Sequence, residues 1–383
     1  MTDAASVPEV EDQLPSGSSD ARRSVLIRLL VVGGYLFVVF GILLPRVVDY
    51  GDMVQAFRDV PAQWLLVIIL VGMFSWVAEG LALQAPMPGL TLRRSIMAYL
   101  SLAAIGSTMT GAVKLAVGYR IFREWGRSPE ATVLGLTLNG IASQASKLLL
   151  PALAFLLLAF TGTIPPTGFL YAFLLAVPIV LGVMIGIWMM RSEAFARRVG
   201  AFATRASGTV MRRIHRPDPG DLTGRLMTFR EAAKDLLLAR IWSITFSQLL
   251  ARTVGYVLLL LSLRAVGIGS DVLPPDVILG YYAAVMVITL LPIAPGGAGL
   301  PEVLYIGFFT SYVANPVYDD AIAAGVMLFR AMTWFVPIPV GYIALLFQRR
   351  GVAKERARLE AAGAAGTGEM APSTLAAEDP GRS

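Results

Sequence analysis

The chain has 383 residues, 56% hydrophobic and 15% charged, with a formal net charge of +6 and a mean hydropathy of +0.67. Soluble domains carry about 25% charged residues, so this deficit, with apolar runs of roughly 20 residues, excludes an ordinary soluble domain and predicts an all-α, polytopic transmembrane bundle. There is no cysteine, and the single histidine, His215, lies in the basic stretch MRRIHRPDPGD, which excludes disulfides, thiolate metal sites, cysteine nucleophiles and intramembrane Ser-His chemistry.

In chain order, residues 1–21 are polar and acidic (Asp3, Glu9, Glu11, Asp12, Asp20). They read as a disordered cytoplasmic tail without a cleavable signal peptide. Arg22, Arg23 and Arg28 precede an apolar run at 29–44, the first span, with its amino end cytoplasmic. Residues 51–60 read as external. Residues 64–83 form the second span, with Glu79 near its inner end, and Arg93 and Arg94 mark the return to the cytoplasm. The next apolar stretch, 95–118, holds Gly106, Thr110, Gly111, Lys114 and Gly118 between two basic clusters, Arg93–Arg94 and Arg120, Arg123 and Arg127. A full crossing would expose one cluster outside, so a re-entrant hairpin opening to the cytoplasm is expected.

Residues 131–160 read as a long span with Asn139, Gln144 and Lys147 inside it. The uncharged TGTIPPT at 161–167 reads as an external turn, and 168–190 as a return span. Residues 191–240, rich in arginine, read as a large solvated cytoplasmic loop held near anionic lipid. Residues 241–263 form another span carrying Gln248 and Arg252. The segments 266–276 and 315–320 are acidic and external, so the apolar region 277–314 between them starts and finishes outside, either as a pair of helices broken at the glycine-proline motif or as a hairpin entering from the outer face. Residues 321–347 form the last span, followed by Arg349, Arg350 and Lys354; a disordered tail is expected over 351–383. The prediction is about six full spans plus two broken hairpins. The order span, hairpin, span occurs twice, over 64–160 and 241–347, which predicts an inverted repeat of the kind that places a transporter site between its halves.

The most informative stretch is LPIAPGGAGLPEVLY at 291–305, which puts Gly296, Gly297, Gly299 and Glu302 in an apolar setting. Backbone broken by proline and glycine at membrane depth is tolerated only where protein buries it or water lines it, so this stretch points to a cavity. Intramembrane ionisable groups are functional by default. Glu302 could bind a cationic group, relay a proton, or cap the following helix. Arg330, ten residues into the last span, could pair with Glu302 or bind a lipid phosphate. Arg252 could clamp a phosphate or pair with Glu79. Lys114, Arg120 and Lys147 could form an anion-attracting vestibule, although Lys147 could equally anchor a helix. Asn139, Gln144 and Gln248 read as interhelical hydrogen-bonding groups.

LPIAPGGAGLPEVLYIGFF at 291–309 resembles the pattern of the transmembrane region of lysylphosphatidylglycerol synthase/flippase proteins, a family that includes UPF0104-type membrane proteins. FRAMTWFVPIPVGY at 329–342 extends the resemblance, and GAVKLAVGYRIFREWGRSPEATVLG at 111–135 echoes it more weakly. Together they cover about residues 25–350. The chain departs from the family where many members carry Gly-Glu near the first hairpin and Glu-Arg in the following span. Here those regions read GAVK and NGIASQASK, which removes any carboxylate role from the first hairpin. The resemblance implies a flippase-like domain over 22–350, without the soluble synthase, in a bacterial inner membrane with both termini cytoplasmic.

The expected function is translocation or handling of an anionic phospholipid or polyprenyl-linked lipid by alternating access around the hairpins. Arg252, Arg330, Lys114 and hairpin backbone at Gly296, Gly297 and Gly299 would hold the headgroup phosphate, and Glu302 would gate it. The alternative is a non-catalytic scaffold for a separate glycosyltransferase or aminoacyl-lipid transferase. A third reading is an intramembrane transferase using Glu302 as base. The expected partners are membrane lipids and such an enzyme, not nucleic acid, and no cofactor or metal is expected. There is no G-x-x-x-x-G-K-[ST] motif, so any coupling would be to ions or membrane potential.

Overall fold

The computed structural model describes residues 55, 58–109, 111–160, 182, 185–186, 188–189, 191–213, 222–290 and 299–348. The expected first span (29–44), the turn at 161–167, most of the return span (168–190), the two tails and the glycine-proline stretch 291–298 lie outside them.

The described residues form helices and no strand. α1 is Ala62–Gln84, α2 Leu92–Thr108, α3 Gly111–Glu124, α4 Pro129–Phe160, α5 Glu193–Arg213, α6 Leu222–Ala265, α7 Pro275–Ile288, α8 Leu300–Val313 and α9 Asp319–Arg330. A single π turn, Ala331–Phe335, joins α9 to α10 at residues 337–348. Among the described residues, four stretches are long and apolar enough to cross a membrane: Ala62–Gln84, Pro129–Leu158, Ala239–Ala265 and Pro316–Gln348. This is a helical membrane bundle. α1 shows why: it is apolar on every side, so Leu66, Ile69, Leu70, Met73 and Phe74 stay exposed for lipid to cover while Ile68, Gly72, Ser75, Ala78 and Ala82 pack inward.

α1 and α6 run antiparallel at the centre. Ala78 and Ala82 meet Ala251 and Val254, small residues that let the two backbones approach. At one end, Arg240 reaches the Ala85 carbonyl. Next to that end sits the first hairpin. α2 and α3 are shorter than a full span, and their outer ends meet: Arg94 lies over the Trp125 ring at 5.6 Å, and Arg127 donates to the Pro88 carbonyl. The second hairpin sits at the opposite end, beside Ala265. Arg264 there donates to the carbonyls of Ile268, Gly269 and Leu273 at 2.6–3.0 Å, and Tyr256 donates to Pro275 at 3.0 Å. Its two 14-residue helices, α7 and α8, pack antiparallel through Tyr281 stacked on Phe308 at 5.1 Å. Both hairpins therefore take the expected helix–break–helix form and open at opposite ends.

The packing is reciprocal between halves. The first hairpin rests on the last helix: Gly341 lies against the Leu100 carbonyl, Gln348 donates to Ser101 at 3.2 Å, and Thr108 and Tyr342 share a 2.6 Å hydrogen bond. The second hairpin rests, through α7, on α4. Each hairpin thus leans on the closing span of the other half, the arrangement that an inverted repeat predicts.

One expectation is corrected. The arginine-rich region 191–240 is not a solvated loop over its described parts: α5 and the first turns of α6 are helical and pack on each other. Gly200 lets α5 approach Thr223, and Arg230 donates to the Met189 carbonyl at 2.7 Å. The cause is an amphipathic pattern: Ala196 and Gly200 are buried one turn apart, while Glu193 and Arg197 pair at i,i+4 on the outside. α6 consequently runs for 44 residues without a break.

Candidate functional site

Mid-bundle charges converge on one cavity of about 380 Å³, enclosed by α1, α2, α4, α6, both helices of the second hairpin and the last span. Arg252 stands at the midpoint of the membrane-length part of α6 and Arg330 at the last position of α9. Lys147 comes from α4 and Glu79 from α1. Two prolines shape these walls. Pro151 lacks the N–H that would bond the Lys147 carbonyl. Pro337 lacks the N–H that would bond Thr333, and the π turn accommodates it. In that turn Val336 bonds Ala331 rather than Met332, and the freed Met332 carbonyl accepts instead from Trp76 Nε1 at 3.0 Å. The turn sits directly after Arg330 and presents Thr333 to the cavity.

The charges form two ion pairs. Arg330 Nε meets Glu302 Oε1 at 2.7 Å, with side-chain exposures of 10% and 0%. Arg252 Nη2 meets Glu79 Oε1 at 2.8 Å, with side chains exposed by 15% and 22%. Glu302 Oε2 and Arg252 Nε are buried without a hydrogen-bond partner among the described residues. Four aromatic side chains, Tyr99, Tyr282, Tyr305 and Phe329, form part of the remaining wall. Tyr282 donates to the Arg252 carbonyl at 2.9 Å and stacks on Tyr305, which meets Phe329 edge-on at 5.9 Å; Tyr99 closes the side toward the first hairpin.

Lys147, Arg252 and Arg330 face a single carboxylate, Glu79, among the described lining residues. Counting the buried Glu302 behind Arg330, the cavity stays net positive. In a low-dielectric setting that composition favours an anion. Among the described residues no group of three or more acidic, histidine or cysteine side chains could hold a metal.

Of the residues singled out from the sequence, Arg252 and Arg330 line the cavity. Glu302 lies behind the wall as the partner of Arg330, in the first turn of α8, and makes no cap hydrogen bond to the helix end. Gly299 caps α8 with φ 87°, a left-handed conformation suited to glycine. Gly296 and Gly297 lie outside the described residues, although both flanks of their stretch, Thr289 and Leu300, line the cavity. Lys114 is not in the wall; it is exposed, with its stem along Gly106. Arg120 is also exposed and pairs with Glu124 at 2.8 Å. Gln248 donates to Asn139 at 3.3 Å, the expected bond between spans.

Sequence reasoning did not single out Tyr99, Tyr282, Tyr305 or Ser75. Aromatic and small residues inside apolar runs carry no signal of their own, and only the convergence of seven helices exposes them. Lys147 did carry one, a cation inside a span, but not which way it points.

No curated protein matches the chain. The family model described as the lysylphosphatidylglycerol synthase TM region matches residues 25–341, and the chain, a multi-pass membrane protein, belongs to that family.

Proposed function

We propose that this protein binds the phosphate-bearing headgroup of an anionic phospholipid or polyprenyl-linked lipid in the central cavity and moves it across the bilayer. The observation that carries this reading is the cluster of Lys147, Arg252 and Arg330 around one net-positive cavity between two hairpins that open at opposite ends. Guanidinium forks suit phosphate oxygens, and the volume suits a headgroup while the acyl chains remain in lipid. Alternating access follows if one hairpin and then the other yields. The arginine-rich end, with both termini, would face the cytoplasm of a bacterial inner membrane.

Purified protein in vesicles containing fluorescent phosphatidylglycerol, probed with a membrane-impermeant quencher, tests this. Headgroup movement by the unaltered protein is expected, falling about tenfold or more with Arg252→Lys or Lys147→Gln. Movement that survives both substitutions in folded protein removes the site assignment.

The scaffold reading rests on a different feature: Arg197, Arg198, Phe202 and Arg205 form an exposed stripe on α5. It predicts no lipid movement, and a co-purifying enzyme that is lost when those arginines are neutralised.

A further inference from the structure

The two ion pairs at the cavity are built differently. Glu302 has no exposed surface and lies behind the wall, so its carboxylate is screened by Arg330 from whatever occupies the cavity. Glu79 and Arg252 both line the cavity and both remain partly exposed. They meet in an ion pair through Arg252 Nη2 at 2.8 Å, while Arg252 Nε is buried with no partner among the described residues. A guanidinium grips an oxyanion best through two parallel N–H donors. The Glu79 pair uses one, so Arg252 is held by a ligand that does not satisfy it. Glu79 is also the sole carboxylate among the described lining residues, set against three cations. Its backbone is fixed where α1 packs closely on α6, with Ala78 and Ala82 buried against Ala251 and Val254, so the side chain alone has to move for the pair to open.

We propose that Glu79 is a resident counter-ion that an arriving phosphate group displaces from Arg252, the phosphate taking the Nε edge that Glu79 leaves unused. This deepens the lipid-phosphate reading of the cavity and rests on it. Lys147, on the same wall, supplies the second cation for the phosphate. The released carboxylate stays in the cavity, which Tyr99 also lines. The arrangement makes Glu79 a specificity-determining residue. An anion replaces it only by making more contacts with Arg252 than a singly bonded carboxylate does, which a tetrahedral phosphate achieves and chloride does not. When the site is empty of lipid, Glu79 neutralises Arg252, while Lys147 keeps the cavity net positive.

The test is calorimetric titration of the purified full chain, in neutral detergent, with dihexanoylphosphatidylglycerol and separately with inorganic phosphate. Glu79→Gln is expected to tighten binding about tenfold and Glu79→Asp, which keeps the charge but shortens its reach, by an intermediate factor. The Asp variant keeps the test open should the Gln variant not fold. Displacement is separated from simple repulsion by the Arg252→Gln background. There Glu79→Gln should change affinity by less than about twofold, because the competition it relieves is gone; loss of all binding in that background counts as the same result. Unchanged or weakened binding in both Glu79 variants overturns the proposal, as does an equal gain with and without Arg252. If the unaltered protein and every variant fail to bind either probe, the cavity reading falls and this inference with it. If binding depends on Lys147 and Arg330 but ignores Glu79, only the inference falls. Equal tightening with inorganic phosphate upholds displacement and makes free phosphate, not a headgroup, the occupant.

Discussion

Removing either partner of the buried Arg330–Glu302 pair should not be equivalent. At 2.7 Å and an effective dielectric of about 20, the attraction is about 6 kcal/mol before the desolvation of both charges is set against it. Arg330→Gln leaves Glu302 charged, with 0% exposure and one oxygen already lacking a partner among the described residues. Stranding a buried charge costs about 3–5 kcal/mol. Glu302→Gln leaves Arg330, which borders the cavity and can be hydrated there, so its cost should be nearer 1–2 kcal/mol, roughly that of one charge-assisted hydrogen bond. The double substitution to Gln at both positions should be less destabilised than Arg330→Gln alone, because no charge is stranded. Unfolding titrations with an anionic detergent in mixed micelles, followed by tryptophan fluorescence, give the four free energies. Equal costs for the two singles, or strictly additive costs in the double, would refute the reasoning.

Two further outcomes follow from packing. Gly341→Ala places a Cβ against the Leu100 carbonyl oxygen, a backbone atom that cannot swing aside. It should cost about 1–3 kcal/mol in the same titration and loosen the first hairpin, read as faster hydrogen exchange over α2. Trp76→Phe leaves the Met332 carbonyl of the π turn without its donor. A loss of about 1–3 kcal/mol is expected, with lipid movement reduced because Arg330 and Thr333 flank that turn; an unchanged stability would show that another group satisfies the carbonyl.

Much of the architecture was legible from charge and apolar runs. Arg93, Arg94, Arg120 and Arg123 flanking one apolar stretch required that stretch to return to the side it left, and α2 and α3 do so. The acidic segments around 277–314 required the same at the other end. The helical character of 193–213 and 222–240 was not legible from charge density, because a run of arginines reads alike on a loop and on a helix. The usable signal was finer: Ala196 and Gly200 one turn apart on one face, with Arg198, Phe202 and Arg205 on the opposite face. For the site, a charge in mid-span identifies Arg252 and Arg330 whatever the fold. Which face a span turns inward is set by tertiary packing, so the inward direction of Lys147, the exposure of Lys114 and the tyrosine wall emerge only when the helices are assembled. Glu302 shows the same limit. Its burial was readable, whereas its position behind the cavity wall rather than in it depends on where α8 meets α9.

The most direct measurement uses the chain's lack of native cysteine. Thr289→Cys puts a single thiol on the cavity wall beside the glycine-proline stretch. In proteoliposomes, a small membrane-impermeant thiol reagent should label it, and dihexanoylphosphatidylglycerol should slow that labelling in proportion to its occupancy. Full shielding from the reagent applied on both sides, or labelling that anionic lipid leaves untouched, would contradict a water-reachable headgroup site at the heart of this bundle.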